Sequence, residues 1–247
     1  MKLELDQARK VFDQVAALDG VSLSVEPGEQ VALIGPSGAG KTTLFRLLNL
    51  TLRPTSGRVR LDGADAASLT DAQQQEARQR IGTIYQQHNL VGRLRVVHNV
   101  LAGNLGRWPA WKSLASLLWP DTDEALRALH QVLIADKLHE RTDALSGGQQ
   151  QRVAIARVLV QDPEVILADE PVSSVDPTLA AGIVALLTDI SARAGKTLLV
   201  NLHSVDLALQ HFPRVVGVRG GRIAFDLPPA QVGGELLSAL YAGAQAA

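Results

Sequence analysis

The sequence predicts an α/β fold, strands with flanking helices, with a helical subdomain inserted into it. Three observations carry this. Apolar runs of strand length at 30–34, 165–170 and 197–202 alternate with helical patterns, as buried strands of a parallel sheet do. The first run leads directly into Gly35-Pro36-Ser37-Gly38-Ala39-Gly40-Lys41-Thr42 and then into a helical pattern. Residues 88–161 change texture: helical spacing dominates there, and all three tryptophans (Trp108, Trp111, Trp119) fall within it.

Composition sets the outer bounds. A chain of 247 residues is long enough for one large α/β domain or a core with a subdomain. Its 24 basic and 25 acidic groups nearly cancel, which gives no electrostatic case for nucleic acid as a partner. Without cysteine there are neither disulfides nor thiolate metal sites. The first ten residues are polar and lack a signal-peptide core, and no apolar run approaches the length of a membrane span.

Taken in order, residues 3–12 and 21–25 read as strands, the second closed by the turn Pro27-Gly28. Phe12, one of four phenylalanines, is upstream of the glycine loop, where it can stack on a nucleotide base or pack in the core. After the loop, Leu44, Phe45, Leu47 and Leu48 suit one buried face of a helix. Residues 58–61 with Asp62-Gly63 make a hairpin strand, and Thr70 with Gln73 forms a capping box for a polar helix through Arg80. Residues 81–85 read as a strand ending in Gln86. Ser146 suits a helix N-cap, with the helix running from about Gln149 to Val160. Asp176-Pro177 opens a helix with Leu179, Ile183, Leu186, Leu187 and Ile190 on one face, stopped at Gly195. Residues 215–218, Gly220-Gly221 and 222–225 make a terminal hairpin, and the tail after Gly233 carries no signal.

The chemistry is concentrated in few places. In G-x-x-x-x-G-K-T, glycines let backbone amides approach a polyphosphate, and the following helix turns its positive end to the anion. Lys41 then reaches the β- and γ-phosphates, and the Thr42 hydroxyl can ligate Mg²⁺. The strand at 165–168 ends in Asp169 and Glu170. Beside a phosphate loop, the first carboxylate can hold Mg²⁺ through its water shell and the second can polarise a water. Leu145-Ser146-Gly147-Gly148-Gln149 opens a second helix start that could take an anion.

These motifs, in this order, resemble the ATP-binding cassette (ABC) ATPases over nearly the whole chain. GPSGAGKTT (Gly35, Pro36, Ser37, Gly38, Ala39, Gly40, Lys41, Thr42, Thr43) is similar to the Walker A motif, and Gln86 to the Q-loop. LSGGQQQR is similar to the signature, VILADE to Walker B with the catalytic glutamate, Ser173-Ser174-Val175-Asp176 to the D-loop and His203 to the switch histidine. One departure is Val175, where leucine is usual.

The resemblance implies a P-loop NTPase core, a mixed sheet with flanking helices and an antiparallel β subdomain, plus an inserted helical subdomain: one ABC ATPase domain, with 1–87 and 162–247 as core and 88–161 as the helical part. It implies ATP and Mg²⁺ as ligands, with Phe12 on the adenine and Thr42, Gln86 and Asp169 around the metal. Glu170, His203, Gln86 and Lys41 are the implied catalytic residues. Ser146, Gly147, Gly148 and Gln149 would meet the γ-phosphate held by a second copy, in an ATP-dependent head-to-tail dimer. Two integral membrane permease subunits are implied as partners, with a periplasmic binding protein reached indirectly, and the chain would be peripheral on the cytoplasmic face of the inner membrane.

Within the family, residues 88–94, 99–106 and 201–206 and the tryptophan-bearing stretch resemble the phosphonate importer ATPases. These segments would face the membrane subunits, so they point to the subfamily rather than to the cargo. Phosphite and hypophosphite importers, and a soluble non-transport ABC ATPase, are the alternatives. The tryptophans mark a docking surface or fill a small helical core.

Overall fold

The structure is a computed structural model that describes residues 1–173 and 176–242. Its centre is a six-stranded sheet in the order β10-β9-β3-β8-β7-β6. These strands are β3 (Gln30–Ile34), β6 (Ile81–Ile84), β7 (Val165–Asp169), β8 (Thr197–Asn201), β9 (Arg214–Arg219) and β10 (Arg222–Leu227). All neighbours are parallel except the terminal hairpin pair β9 and β10. A second, four-stranded antiparallel sheet has the order β2-β1-β4-β5, from β1 (Leu3–Phe12), β2 (Val15–Val25), β4 (Ser56–Leu61) and β5 (Ala64–Asp65).

Strand alternation sorts the side chains of the main sheet into two cores. Val31, Leu33, Val165, Leu167, Leu199 and Val216 enter a cluster shared with the antiparallel sheet and with α1 (Lys41–Leu48). Ala32, Ile34, Ile166, Ala168, Leu198 and Val200 enter a cluster on the other face. Helix α1 is enclosed between the two sheets, which is why Leu44, Phe45, Leu47 and Leu48 are all buried. The second cluster continues without a break into α3 (Val96–Leu101), α5 (Thr122–Gln131) and α6 (Gly147–Gln161). It also takes in α7 (Pro177–Arg193), α8 (Val205–His211) and α9 (Gly234–Tyr241). α2 (Asp71–Gln79) leads into β6, and α4 (Ala110–Leu118) stands apart, with no buried residue.

Several boundaries differ from the sequence reading. β2 begins at Val15, six residues before the expected 21: residues 15–20 extend the hairpin arm paired with β1 (Phe12 opposite Val15), with Val15 exposed at its tip and Leu18 buried. α6 starts at Gly147 instead of Gln149: the capping box Ser146–Gln149 sets the start, and glycine in a first turn is tolerated there. Helix α1 includes Lys41 and Thr42. The tail after Gly233 folds as α9, with Leu240 buried and the Arg219 guanidinium donating to the Ala239 and Ala242 carbonyls. Trp111 and Trp119 are 73% and 77% exposed, so they do not fill a helical core. Half-buried Trp108 alone packs against the apolar cluster, with the Lys112 ammonium 4.5 Å from its ring centroid.

Two close junctions tie the parts together. Gly103, after α3, lies so near α6 that a Cβ there would stand 2.2 Å from the Arg157 carbonyl oxygen. At the far edge, Arg80 holds Glu164 with two bonds of 2.7 and 3.0 Å, fixing the start of β7 to the end of α2. The Arg80 hydrogen bonds hold the Glu164 carboxyl down to about 2.

Gly103→Ala is expected to lower stability by about 1–3 kcal/mol, since main chain has to move to admit the methyl; an unchanged denaturation midpoint would refute the close contact. A depressed carboxyl pKa adds stability that is present above the unfolded value of 4.5 and is lost as pH falls towards 2. The stability gap between the wild type and Glu164→Gln, small because Glu164 is half exposed, should therefore close between those pH values. Urea midpoints at pH 7 and pH 2.5 measure this, and a gap independent of pH would remove the ion pair from the account.

Candidate functional site

The glycine loop is held between β3 and α1 by two contacts that only glycine permits. Gly35 has φ 151° and passes so near β9 that a Cβ would stand 2.0 Å from the Val218 carbonyl oxygen. Gly40 has φ 101°, and a Cβ there would stand 2.4 Å from the Ala17 oxygen in β2. The Gly221 amide donates to the Ala39 carbonyl at 3.0 Å. The loop is thus fixed from both sheets. Gly40 caps α1 with no side-chain acceptor, and the first turn carries no acid, so the helix start keeps its positive end.

A cavity of about 220 Å³ opens over this loop, lined by Ala17, Ser37 through Thr43, Glu170 and Asn201. Lys41 is buried, and its ammonium donates to the Gly35 and Pro36 carbonyls at 2.7 and 2.9 Å. Burial pushes its pKa down, opposed by the nearby carboxylates of Glu170 and Asp169. The Thr42 hydroxyl donates to Asp169 Oδ1 at 3.3 Å, and the Asn201 amide donates to the same oxygen at 2.6 Å.

Asn201 is the residue that motif reading passed over. It is fully buried, stands opposite Asp169 in the β7–β8 register, and its Oδ1 has no hydrogen-bond partner. Its sequence signal is an amide at the end of the apolar run 197–202. Glu170 follows β7 with φ 52°, a left-handed backbone that non-glycine residues seldom take. Its Oε1 is 2.7 Å from His203 Nε2, and its amide donates to the Asn201 carbonyl at 3.2 Å. A second cavity of about 550 Å³, bounded by Glu170, Ser173, Asn201 and His203, adjoins the first through the two residues they share.

The residues at this point offer oxygen donors of the kind a hard divalent cation takes: the Thr42 hydroxyl, the Asp169 carboxylate and the unpartnered Asn201 oxygen. Among the described residues no group of three or more His, Asp or Glu side chains could hold a metal unaided. That donor set suits Mg²⁺ sharing its shell with phosphate oxygens and water.

Other expected residues stand apart. Gln86 is exposed in the turn after β6 and does not line the cavity. Phe12 ends β1 at 42% exposure with the Lys10 ammonium 5.2 Å from its ring, so core packing is excluded, yet it too lies outside the cavity wall. Ser146 and Gln149 cap each other, the Ser146 amide to Gln149 Oε1 at 3.0 Å and the Gln149 amide to Ser146 Oγ at 3.4 Å. None of Ser146, Gly147, Gly148 or Gln149 reaches this chain's own phosphate loop cavity. Of the D-loop, Ser173 donates to the Glu170 carbonyl and Asp176 accepts from the Leu179 amide, while Ser174 and Val175 lie outside the described residues.

Arg157 is a second residue missed from sequence. From α6 its guanidinium donates to the Asn89 and His88 carbonyls at 2.7 and 2.8 Å, just past Gln86. His88 and Asn89 both have positive φ, 57° and 49°, so the fork holds a strained turn.

Comparison with known proteins adds the following. A family model described as ABC transporter matches residues 18–173. The chain is 55% identical over 247 residues to phosphonates import ATP-binding protein PhnC 2 of Pseudomonas aeruginosa, covering 99% of this chain and 92% of that protein. It is 50% identical over 248 residues to phosphonates import ATP-binding protein PhnC 1 of Cupriavidus necator, covering 100% and 89%. A dimeric ATP-binding cassette solved in a post-hydrolysis state with ADP and phosphate superposes with TM-score 0.80 at 29% identity, covering 92% of this chain and 98% of that one. The cbiO1 subunit of a Clostridium perfringens ABC transporter complex gives TM-score 0.81 at 27% identity, covering 97% and 93%.

Arg157→Ala is expected to free the turn at 86–90. Two bonds from a charged donor to main chain are worth about 1.5–3 kcal/mol each at most, so amide exchange there should rise roughly ten- to a hundredfold. Exchange confined to wild-type rates would show that the fork holds nothing.

Proposed function

This chain belongs to the ABC transporter family, and on that premise we propose that it is the ATP-hydrolysing subunit of a bacterial phosphonate importer. The observation that carries the reading is the convergence of Lys41, Thr42, Asp169, Glu170 and Asn201 on one glycine-lined cavity, with His203 bonded to Glu170. The identity to importer ATP-binding proteins over nearly the full length supports the cargo class.

In this reading the core, 1–87 and 162–247, carries the phosphate loop, and 88–161 is the helical part. ATP lies with its phosphates on the amides of 37–43 and its adenine against Phe12. Lys41 exchanges the Gly35 and Pro36 carbonyls for β- and γ-phosphate oxygens. Its lysine already has two carboxylates nearby, and phosphate supplies the counter-charge that burial demands. Thr42 and Asp169, with Gln86, would hold Mg²⁺, which when bound neutralises phosphate charge as it develops. Glu170 accepts hydrogen from the attacking water, and His203 fixes the carboxylate in place. The water oxygen bonds to the γ-phosphorus, the bond to the β–γ bridging oxygen breaks, and ADP and phosphate leave.

Ser146 through Gln149 complete the site of a second copy. Two facts support this: the helix start is exposed, and it is remote from this chain's own cavity. The capping box uses the Ser146 and Gln149 amides and leaves those of Gly147 and Gly148 for a phosphate. No helix among the described residues is long and apolar enough to cross a membrane. In this reading transport runs through two separate permease subunits, with this chain peripheral on the cytoplasmic face, as the likeness to importer ATP-binding proteins suggests.

Glu170→Gln should keep nucleotide affinity within about twofold and lower turnover by a factor of 10² or more, the usual worth of a general base. Assays with the permease and binding proteins, using phosphonates and phosphite as cargo, test the whole reading. Undiminished turnover in the variant would remove Glu170 from its role. Stimulation by phosphite alone would keep the mechanism and change the cargo.

A further inference from the structure

Asn201 has no step in the proposed hydrolysis, yet the sheet delivers it to the place where that step happens. β8 runs parallel between β3 and β7. Its end therefore falls between the phosphate loop that follows β3 and the two carboxylates, Asp169 and Glu170, at the end of β7. In register, Asn201 stands with Leu33 on one side and Asp169 on the other. Leu198, Leu199 and Val200 before it and Leu202 after it are apolar and fully buried. An amide in such a run is costly unless both its donor and its acceptor are used.

This amide is used on one side only. Its Nδ2 donates to Asp169 Oδ1 at 2.6 Å, which fixes the plane of the group and turns its oxygen away from Asp169. Among the described residues nothing donates to that oxygen, although the residue is fully buried. A flip of the amide would set the oxygen against the Asp169 carboxylate, acceptor against acceptor, so the orphan is not relieved that way. Asn201 and Glu170 are also the two residues that line both the loop cavity of about 220 Å³ and its neighbour of about 550 Å³. The unused acceptor and the general base thus share the junction of the two spaces. Hydrolysis supplies a donor for it. A water that attacks phosphorus has two hydrogens, and a single hydrogen bond leaves it free to turn. Glu170 accepts from one, with its Oε1 steadied 2.7 Å from His203 Nε2. A second acceptor at a fixed angle aims the water's lone pair. Thr42 and Asp169 serve the metal, which leaves the Asn201 oxygen for the water.

Resting on the ATPase reading, we propose that Asn201 is a catalytic residue that orients the attacking water: its Oδ1 accepts from one hydrogen while Glu170 takes the other. Asn201 itself gains no proton. As the water oxygen bonds to the γ-phosphorus, the hydrogen facing Glu170 leaves as a proton, and the hydrogen facing Asn201 stays on the new phosphate.

The test uses the full chain with permease and binding proteins, at saturating ATP and Mg²⁺. Asn201→Leu keeps the side chain's bulk and removes the acceptor. Turnover should fall roughly ten- to a hundredfold, the scale of loss for a misaligned reactant. Equilibrium binding of ATP, and the Mg²⁺ concentration at which it is half complete, should stay within about threefold, because the loss belongs to the reacting water and not to the bound nucleotide. In a Glu170→Gln background the same substitution should add less than about threefold to the loss, since both groups act on one water. If the leucine variant does not fold, Asn201→Thr, a strand-compatible side chain of shorter reach, should lose at least about threefold in turnover and be read in the same way. Turnover unchanged by the substitution, or losses that multiply in the double variant, overturn the proposal. A loss of nucleotide or Mg²⁺ affinity as large as the loss of turnover overturns it in favour of a support for Asp169. Failure of the ATPase reading shows elsewhere: Glu170→Gln would then leave turnover intact, whatever Asn201→Leu does.

Discussion

The packing of the glycine loop against both sheets is the constraint on which the rest depends. Gly35 is pressed on the Val218 carbonyl and Gly40 on the Ala17 carbonyl, and the Gly221 amide holds the Ala39 carbonyl. A phosphate site made of backbone amides works only if the amides keep their directions without the ligand. Here three separate pieces of main chain hold them. β2 supplies Ala17, β9 supplies Val218, and the β9–β10 turn supplies Gly221, so the antiparallel sheet and terminal hairpin are parts of the site's support as well as of the fold.

The same logic extends sideways across the sheet. Parallel pairing sets Asp169 opposite Asn201, and the strands end there together. Two of the cavity's side chains then come from adjacent strand ends, Asp169 on β7 and Asn201 on β8, while Thr42 reaches the same oxygen from the first turn of α1, beyond the glycine loop. Glu170 is one residue further, turned by its positive φ so that its amide meets the Asn201 carbonyl and its carboxylate meets His203. The strain at Glu170 is offset by those bonds. Asn201 thus joins the two carboxylates of the cavity, touching Asp169 through its side chain and Glu170 through its carbonyl.

Much of this was legible in residue order because the motifs are local. A strand, a glycine loop and a helix succeed one another within twenty residues, and apolar runs mark β3, β7 and β8 without reference to anything distant. What was not legible depends on partners far along the chain. Asn201 is one amide in an apolar run until β8 is set beside β7. Arg157 is one arginine in a helix until α6 is laid across the turn at His88 and Asn89. The first half of β2 is an unbroken apolar run, Val15 to Leu18, followed by Asp19-Gly20, so it shows no alternation, and only its pairing with β1 makes it strand. For Trp111 and Trp119 the sequence left surface and core both open, and only the placement of α4 turns them outward.

Helix α6 joins the parts of the site that the single chain leaves separate. Its first turn is Ser146-Gly147-Gly148-Gln149, and Arg157 near its other end grips the turn that carries Gln86. The helix is fifteen residues, roughly 22 Å, and a run of it from Val153 to Ala156 is buried without interruption. Gly103 abuts its main chain with no room for a methyl, so the segment after α3 is packed directly on the α6 backbone. A helix packed in this way moves as a rod: it cannot bend to let one end shift while the other stays. In the proposed dimer, a shift of its first turn towards a phosphate of the second copy would be felt at His88 and Asn89, and with them at the turn that bears Gln86. The two carbonyls are held by a planar fork whose bonds fix direction as well as distance. Lysine at 157 would hold one carbonyl at a time and transmit less. In the proposed dimer, closure and reorientation of the Gln86 turn would be coupled through this one guanidinium.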